Sequence, residues 1–321
     1  MSKRMARGEA TVPPGTRVEI RKQFRYQYAE PVREVVTRLR VLPTRRFGTQ
    51  RVIRQALTVS PAPLRTRSFR DQFGNQVHEF HHDVVAECLE FDLQFSTRHQ
   101  PMKPSALRGL QRLPAVPPLG ARLELFRSAT ELVDCSPEMA RVAAALAQVD
   151  ASTGQSLARI GDWVYRTMRY RPGSTGVETR ASVALAGGEG VCQDYTHIML
   201  ALLRAGGIPA RYVSGFIPGE GYMHAWVEAL LPVRAGSLPQ WLGFDPTHNR
   251  PTDASYVAVA VGRDYADISP ITGSFYGSAP GQLTSWAHAR LHTPAPKRIT
   301  TPRRAVRTFG QRGANDRFSD A

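Results

Sequence analysis

Residues 187–209 read GGEGVCQDYTHIMLALLRAGGIP, and the fold turns on how this stretch is read. The flexible run Gly187-Gly188-Glu189-Gly190 gives way at Cys192 to apolar residues at helical spacing: Tyr195, Ile198, Met199, Leu202 and Leu203. Gly206-Gly207 followed by Ile208-Pro209 is a strong stop signal. The pattern predicts a helix from about Cys192 to the glycine pair. A thiol there faces the unsatisfied N–H groups of the first turn and the positive end of the helix dipole, and both favour the reactive thiolate. Taken alone, a single cysteine more often serves as a small buried hydrophobe.

Beyond this helix the pattern becomes strand-like, with runs at 210–216, 225–230, 240–245 and 256–261. Before it, Ser136-Pro137 supplies an N-cap and a first-turn proline, and Met139, Val142, Leu146 and Val149 recur at helical spacing. A further helix at about 155–169 carries Leu157, Ile160, Val164 and Met168 on one stripe. Helices followed by antiparallel strands make an α+β domain. From Thr16 to about Arg98 short alternating runs, such as Arg17-Val18-Glu19-Ile20 and Phe91-Asp92-Leu93-Gln94-Phe95, are broken by turn chemistry, as at 71–76. These read as an N-terminal antiparallel β-sandwich in which no catalysis is expected. Pro101, Pro104, Pro114, Pro117 and Pro118 mark a connecting segment. The expected organisation is a flexible leader (1–15), a β-domain (16–100), a linker (101–130), a catalytic domain (131–278) and a basic tail (279–321) whose last ten residues are disordered.

The chain has 321 residues, of which 42% are hydrophobic and 21% charged, an ordinary globular composition. No stretch approaches the roughly 20 apolar residues that cross a membrane. Lys3, Arg4 and Arg7 are followed by no apolar run, so a cytoplasmic protein is expected. The net charge of +15 is unevenly spread. Residues 1–70 hold 17 Lys+Arg against 4 Asp+Glu, a net of +13, and residues 297–321 hold 7 against 2, a net of +5. The region between them is 18 against 21, a net of −3. The catalytic region is therefore not basic, and with no zinc finger, helix-turn-helix or aromatic RNA-binding signature, nucleic acid is not an expected partner. Cys88, Cys135 and Cys192 are sparse and unpaired in spacing, which argues against a disulfide framework.

Two further residues give Cys192 its significance. His224 opens the run HAWVE and Asp245 closes the run QWLGFD. If these strands form a hairpin across 232–239, pairing 224 with 245 sets 226 opposite 243 and 228 opposite 241, and an imidazole lies beside a carboxylate. That is the geometry by which a carboxylate fixes a ring tautomer and stabilises an imidazolium. Separately, the histidine reads as a satisfied polar residue and the aspartate before Pro-Thr as a turn former. The signal lies in the set. A competing zinc site of Cys192, His224, Asp245 and His248 has suitable donor types but no close ligand pair. His197, five residues past Cys192, lies about 140° away around a helix and reads as a core or supporting histidine. Asp194 reads as a cap of the first turn or a brace for a loop. Gly187–Gly190 lacks the Gly-Lys-Ser/Thr ending of a phosphate loop. His81 and His82, adjacent on a strand, point to opposite faces.

GVCQDYTHIMLALLRAGGIPARYVSGF, HAWVE and GFDPTHN together resemble the transglutaminase-like superfamily, whose core is papain-like. PVREVVTRLRVLP, LTVSPAP and RDQFGNQVHEF resemble the β-domain that accompanies its bacterial members. The resemblance implies Cys192 as nucleophile, His224 as general base and acid, and Asp245 as the orienting residue. It implies acyl transfer through a thioester on a protein or peptide amide, with no metal or organic cofactor. Cross-linking members carry Trp after the nucleophile where this chain has Gln193, so hydrolysis is favoured over amide formation with an amine. A non-catalytic binding module on the same fold is the alternative of another class. The Cys192 backbone N–H is expected to donate to the oxyanion, and Trp163, Tyr170 or Gln193 to supply a second donor. Asp253 is the nearest acidic replacement for Asp245.

Overall fold

The computed structural model of the chain describes residues 15–99, 123–147, 153–232, 239–278 and 281–293. The leader up to residue 14, most of the linker and the tail beyond 293 lie outside the described residues, as does Val149. The N-terminal strands are β1 (Arg17–Gln27), β2 (Val32–Leu39), β3 (Arg46–Phe47), β4 (Gln50–Ser60), β5 (Arg65–Arg70), β6 (Gln76–Val85) and β7 (Cys88–His99). The alternation seen in the sequence is the alternation of burial. Val18, Ile20 and Phe24 of β1 and Leu89, Phe91, Leu93 and Phe95 of β7 all turn inward. Asp71 Oδ1 accepts the backbone N–H groups of Phe73 and Asn75, which closes the turn read at 71–76.

The second half begins with helices α1 (Pro137–Ala147) and α2 (Thr153–Thr167), then β8 (Arg169–Tyr170), α3 (Ala181–Gly187), β9 (Glu189–Gly190) and α4 (Cys192–Ala205). Ser136 Oγ accepts the Met139 N–H, the capping bond expected there. Strands β10 (Ala210–Phe216), β11 (His224–Pro232), β12 (Pro239–Asp245), β13 (Arg250–Pro251) and β14 (Val257–Gly262) form an antiparallel sheet ordered β13-β12-β11-β10-β14. Helix α4 packs on β10 and β11 and is flanked by α1, α2 and α3. Its side chains from Gln193 to Arg204 are all buried, because the helix is covered by other helices as well as by the sheet. Gly161 of α2 lies where a Cβ would come within 2.1 Å of the Phe244 ring, so only glycine lets α2 sit this close to β12.

The chain then returns. β15 (Ile271–Tyr276) pairs with β2, and β16 (Gln282–His292) pairs with β1 along its whole length. The sandwich sheets are therefore ordered β16-β1-β7-β4-β3 and β15-β2-β6-β5. Residues 271–278, expected in the catalytic domain, and 281–293, expected in the tail, are thus built into the β-domain. The reason lies in pairing: the edges of β1 and β2 need partners, and the exposed Thr284, Ser285, His288 and Arg290 of β16, interspersed with exposed Leu283, Trp286 and Leu291, leave it as an edge strand. Otherwise the architecture is the expected α+β fold, with an N-terminal β-domain before a domain of helices packed on an antiparallel sheet.

Side-chain amides bind the two halves to each other. Gln50 donates to the Ala258 carbonyl at 2.9 Å and accepts the Ala258 N–H at 2.9 Å. Asn75 does the same to Val261, at 2.7 and 2.8 Å. Both cover the outer edge of β14, and Phe47 and Phe73 pack against the cluster of Val213, Ile217, Trp226 and Tyr256 beneath. The β-domain in this way buttresses the strand that follows the candidate site. Among the described residues no helix is long and apolar enough to cross a membrane.

Candidate active site

Cys192 is the first residue of α4, as the sequence predicts, and is partly buried. The preceding turn is held by Asp194, whose Oδ2 accepts the Val191 N–H at 2.7 Å and the Thr175 hydroxyl at 2.7 Å. Both readings of Asp194 hold together: it caps the helix and braces the 171–179 loop. Burial raises its pKa and these hydrogen bonds oppose the rise. A Cβ on Gly190 would meet the Asp194 carboxylate at 2.7 Å, so this glycine is required by close approach. Parallel pairing of β8 with β9 sets Tyr170 beside Gly190, two residues from Cys192.

His224 opens β11 and Asp245 ends β12. The register differs from the simplest expectation by two residues: Val227 pairs with Phe244 and Glu228 with Gly243. Continued, it sets Asp245 opposite Trp226 and diagonal to His224. A slip of two keeps every side chain on its face, and the diagonal is still within reach. His224 Nε2 donates to Asp245 Oδ2 at 2.8 Å, and the Cys192 side chain is near enough to the same ring to raise its pKa. With Nε2 committed to Asp245, Nδ1 is the nitrogen open to the thiol.

Asp245 is fully buried and saturated with donors. Oδ2 also accepts His248 Nδ1 at 2.7 Å and the Tyr256 hydroxyl at 2.8 Å, and Oδ1 accepts the N–H groups of Thr247 and His248 at 2.9 and 3.2 Å. Burial works against its charge, but the bonds from His224 and His248 prevail and hold the carboxyl well below the usual carboxylate range. Burial likewise opposes a charge on His224, and the hydrogen bonds and charges of Asp245 and Cys192 overcome it and raise the imidazole pKa. The buried group is an imidazolium braced by a carboxylate.

Glu220 and Tyr256 were not visible as site residues in the sequence. Glu220, on the loop before β11, has Oε2 3.5 Å from His224 Nδ1 and Oε1 3.3 Å from His248 Nε2. Nothing in its local sequence distinguishes it. Tyr256 likewise sits before an ordinary apolar strand, although Asp-Pro-Thr-His at 245–248 does mark His248 as an Asx-turn neighbour.

The remaining residues separate cleanly. His197 is wholly buried, its Nε2 accepts the Tyr265 N–H at 3.2 Å, and burial followed by the nearby Arg204 lowers its pKa to about 3. It is a neutral core histidine. Gln193 Nε2 donates to the Val177 carbonyl at 3.0 Å, which commits that amide to the loop. Burial, then the charges of Cys192 and Glu220, raise the pKa of the Tyr170 phenol, so its hydroxyl stays protonated. Trp163 packs against the core. Asp253 is exposed and accepts the N–H and hydroxyl of Ser255 at a turn. His82 is buried against the Pro61 carbonyl, while His81 on the other face meets Glu79.

Residues 140–246 match the Transglutaminase-like superfamily, and residues 18–97 match the Bacterial transglutaminase-like N-terminal region. Over 288 residues the chain is 31% identical to the protein Rv2569c of Mycobacterium tuberculosis, spanning 83% of this chain and 90% of that one. The chain belongs to the transglutaminase-like superfamily. A second relative, ML0607 of Mycobacterium leprae, is 30% identical over 278 residues, covering 80% of this chain and 92% of that protein. Among solved structures, one described as a candidate cysteine protease from Cytophaga hutchinsonii superposes with a TM-score of 0.68 at 21% identity. It covers 88% of this chain and 92% of the other, a shared fold over nearly both lengths. Cys192, His224 and Asp245 all fall inside the segment that matches the superfamily core.

Proposed function

We propose that this superfamily member is a cysteine-nucleophile amide hydrolase acting on a peptide bond or glutamine side chain. One observation carries the reading: His224, hydrogen-bonded to buried Asp245, interacts with Cys192 at the N-terminus of α4. The Cys192 thiolate, its proton already held by the His224 imidazolium, attacks the carbonyl carbon. The C–N bond then breaks as His224 returns the proton to the departing amine, leaving a thioester. Water attacks the thioester, His224 takes the water's proton, and the C–S bond breaks to release the acid and restore the thiolate beside the imidazolium. The Cys192 backbone N–H and the Tyr170 hydroxyl are the proposed oxyanion donors. The description of the Cytophaga hutchinsonii protein agrees with this chemistry.

Hydrolysis is favoured over transfer because an acceptor amine must be bound and oriented to compete with water at tens of molar. The residue after the nucleophile is Gln193, and its amide is tied to Val177. The test is incubation with peptide mixtures, identification of an acyl adduct on Cys192 by mass spectrometry, and addition of a labelled primary amine in millimolar excess. Release of free acid is the expected outcome. Amine in most of the product would replace the hydrolase with a transglutaminase, and no adduct on Cys192 would favour a non-catalytic binding module.

A further inference from the structure

Glu220, His224 and His248 present one ligand atom each, all within 4.8 Å of one another. The Glu220 carboxylate spans the two rings, with Oε2 3.5 Å from His224 Nδ1 and Oε1 3.3 Å from His248 Nε2. Zinc–ligand bonds of about 2.0–2.1 Å in a tetrahedron set the ligand atoms about 3.3–3.4 Å apart. Each carboxylate oxygen thus lies about one such edge from an imidazole nitrogen, and the three ligand atoms, within 4.8 Å of one another, need only a small closure of the carboxylate and the two rings to surround an ion.

The opposite side of each ring is just as telling. His224 Nε2 and His248 Nδ1 both donate to Asp245 Oδ2, at 2.8 and 2.7 Å. In the singly protonated rings this fixes the tautomers and turns the lone pairs of His224 Nδ1 and His248 Nε2 toward Glu220. A carboxylate behind the ring is how metal-ligating histidines are oriented, and here one buried aspartate serves two of them. A dication between the three ligands would be balanced by Glu220 in front and Asp245 behind. Glu220 and His248 have side chains 34% and 38% exposed, which leaves a path for the ion and room for a water in the fourth position.

We propose that Glu220, His224 and His248 bind a divalent cation of the zinc class, and that the bound ion silences Cys192. His224 Nδ1 is the nitrogen that exchanges a proton with the thiol, and a metal there takes the proton's place. Asp245 is a support rather than a ligand in this site, and Cys192 is not required for binding. The silencing rests on the thiol chemistry proposed above, but the binding does not, so the two can fail separately.

The test uses cobalt(II), then zinc(II), titrated into the full chain carrying Cys88→Ser and Cys135→Ser to remove other thiols. One equivalent should bind, with visible absorption bands of a four- or five-coordinate cobalt ion. Glu220→Gln and His248→Gln should each weaken binding by about tenfold or more. Bound zinc should slow iodoacetamide labelling of Cys192, and a chelator should restore the rate. Unchanged affinity in both variants, or no stoichiometric binding to the parent, overturns the proposal. Tight binding that leaves Cys192 labelling untouched overturns the silencing.

Discussion

At the scale of single residues, the site depends on how each side chain is partnered. Cys135 is exposed, but burial and then the neighbouring Asp134 raise its thiol pKa, whereas Cys192 lies against an imidazolium at a helix start. Iodoacetamide at neutral pH should label Cys192 first, and peptide mapping of a labelling time course will show the order. Equal rates for all three cysteines would end the activated-thiol idea. Cys192→Ala and His224→Ala should remove nearly all turnover. Asp245→Ala should be less severe in kcat while lowering stability, since it leaves His224, His248 and Tyr256 without their acceptor. Tyr256→Phe removes one donor of five and should cost about 1 kcal/mol in unfolding free energy and only a small part of kcat. An Asp245→Ala enzyme with full kcat would show that the wrong third residue had been chosen.

At the scale of elements, the close approach of β9 to α4 and the inward row of β1 each make a prediction. Gly190→Ala forces a methyl group against the Asp194 carboxylate and should cost about 1–3 kcal/mol, the usual cost of overpacking. Because Asp194 also holds the Val191 N–H, labelling of Cys192 should slow in the same variant. An unperturbed melting curve and labelling rate would show that the turn is slack. In β1, Lys22 stands in the buried row with Val18, Ile20 and Phe24, its ammonium 4.4 Å from the Phe24 ring centroid. Burial lowers its pKa to about 8. Between that value and its ordinary 10.5 the unfolded chain binds more protons than the folded one, so this group makes stability rise with pH. Lys22→Met should therefore be more stable than the parent at pH 7, and the difference should shrink toward pH 10. Denaturant melts of both proteins across that range measure it, and a constant difference would refute the assignment.

At the scale of the whole molecule, the chain closes on itself. β16 covers β1 over Arg17–Gln27, and the Trp286 indole donates to Gln23 at 2.8 Å. A chain ending at residue 278 would expose the ladder edge of β1 over eleven residues, a ready template for pairing between copies. Such a truncation should aggregate or melt well below the full chain, by light scattering and calorimetry. A soluble truncation with an unchanged melting temperature would show that β16 is dispensable. The amides of Gln50 and Asn75 on β14 make the β-domain part of the scaffold of the site, because Tyr256 leads into that strand and holds Asp245.

What the sequence determined by itself is local. Helix α4 and its boundary at Cys192 follow from a glycine run, an apolar period and a Gly-Gly-Ile-Pro stop, all contained in 23 consecutive residues. The faces of His224 and Asp245 follow from the two-residue period of strands, which a two-residue change of register leaves intact. Tertiary structure alone decided the rest. Glu220 reaches the two histidines only because the loop before β11 folds over them, and Tyr256 reaches Asp245 only through the order of strands in the sheet. The return of β15 and β16 to the N-terminal sheets pairs residues more than 200 positions apart. Backbone hydrogen bonds in such a ladder carry no side-chain signature, so a partner this distant leaves no mark on the local pattern.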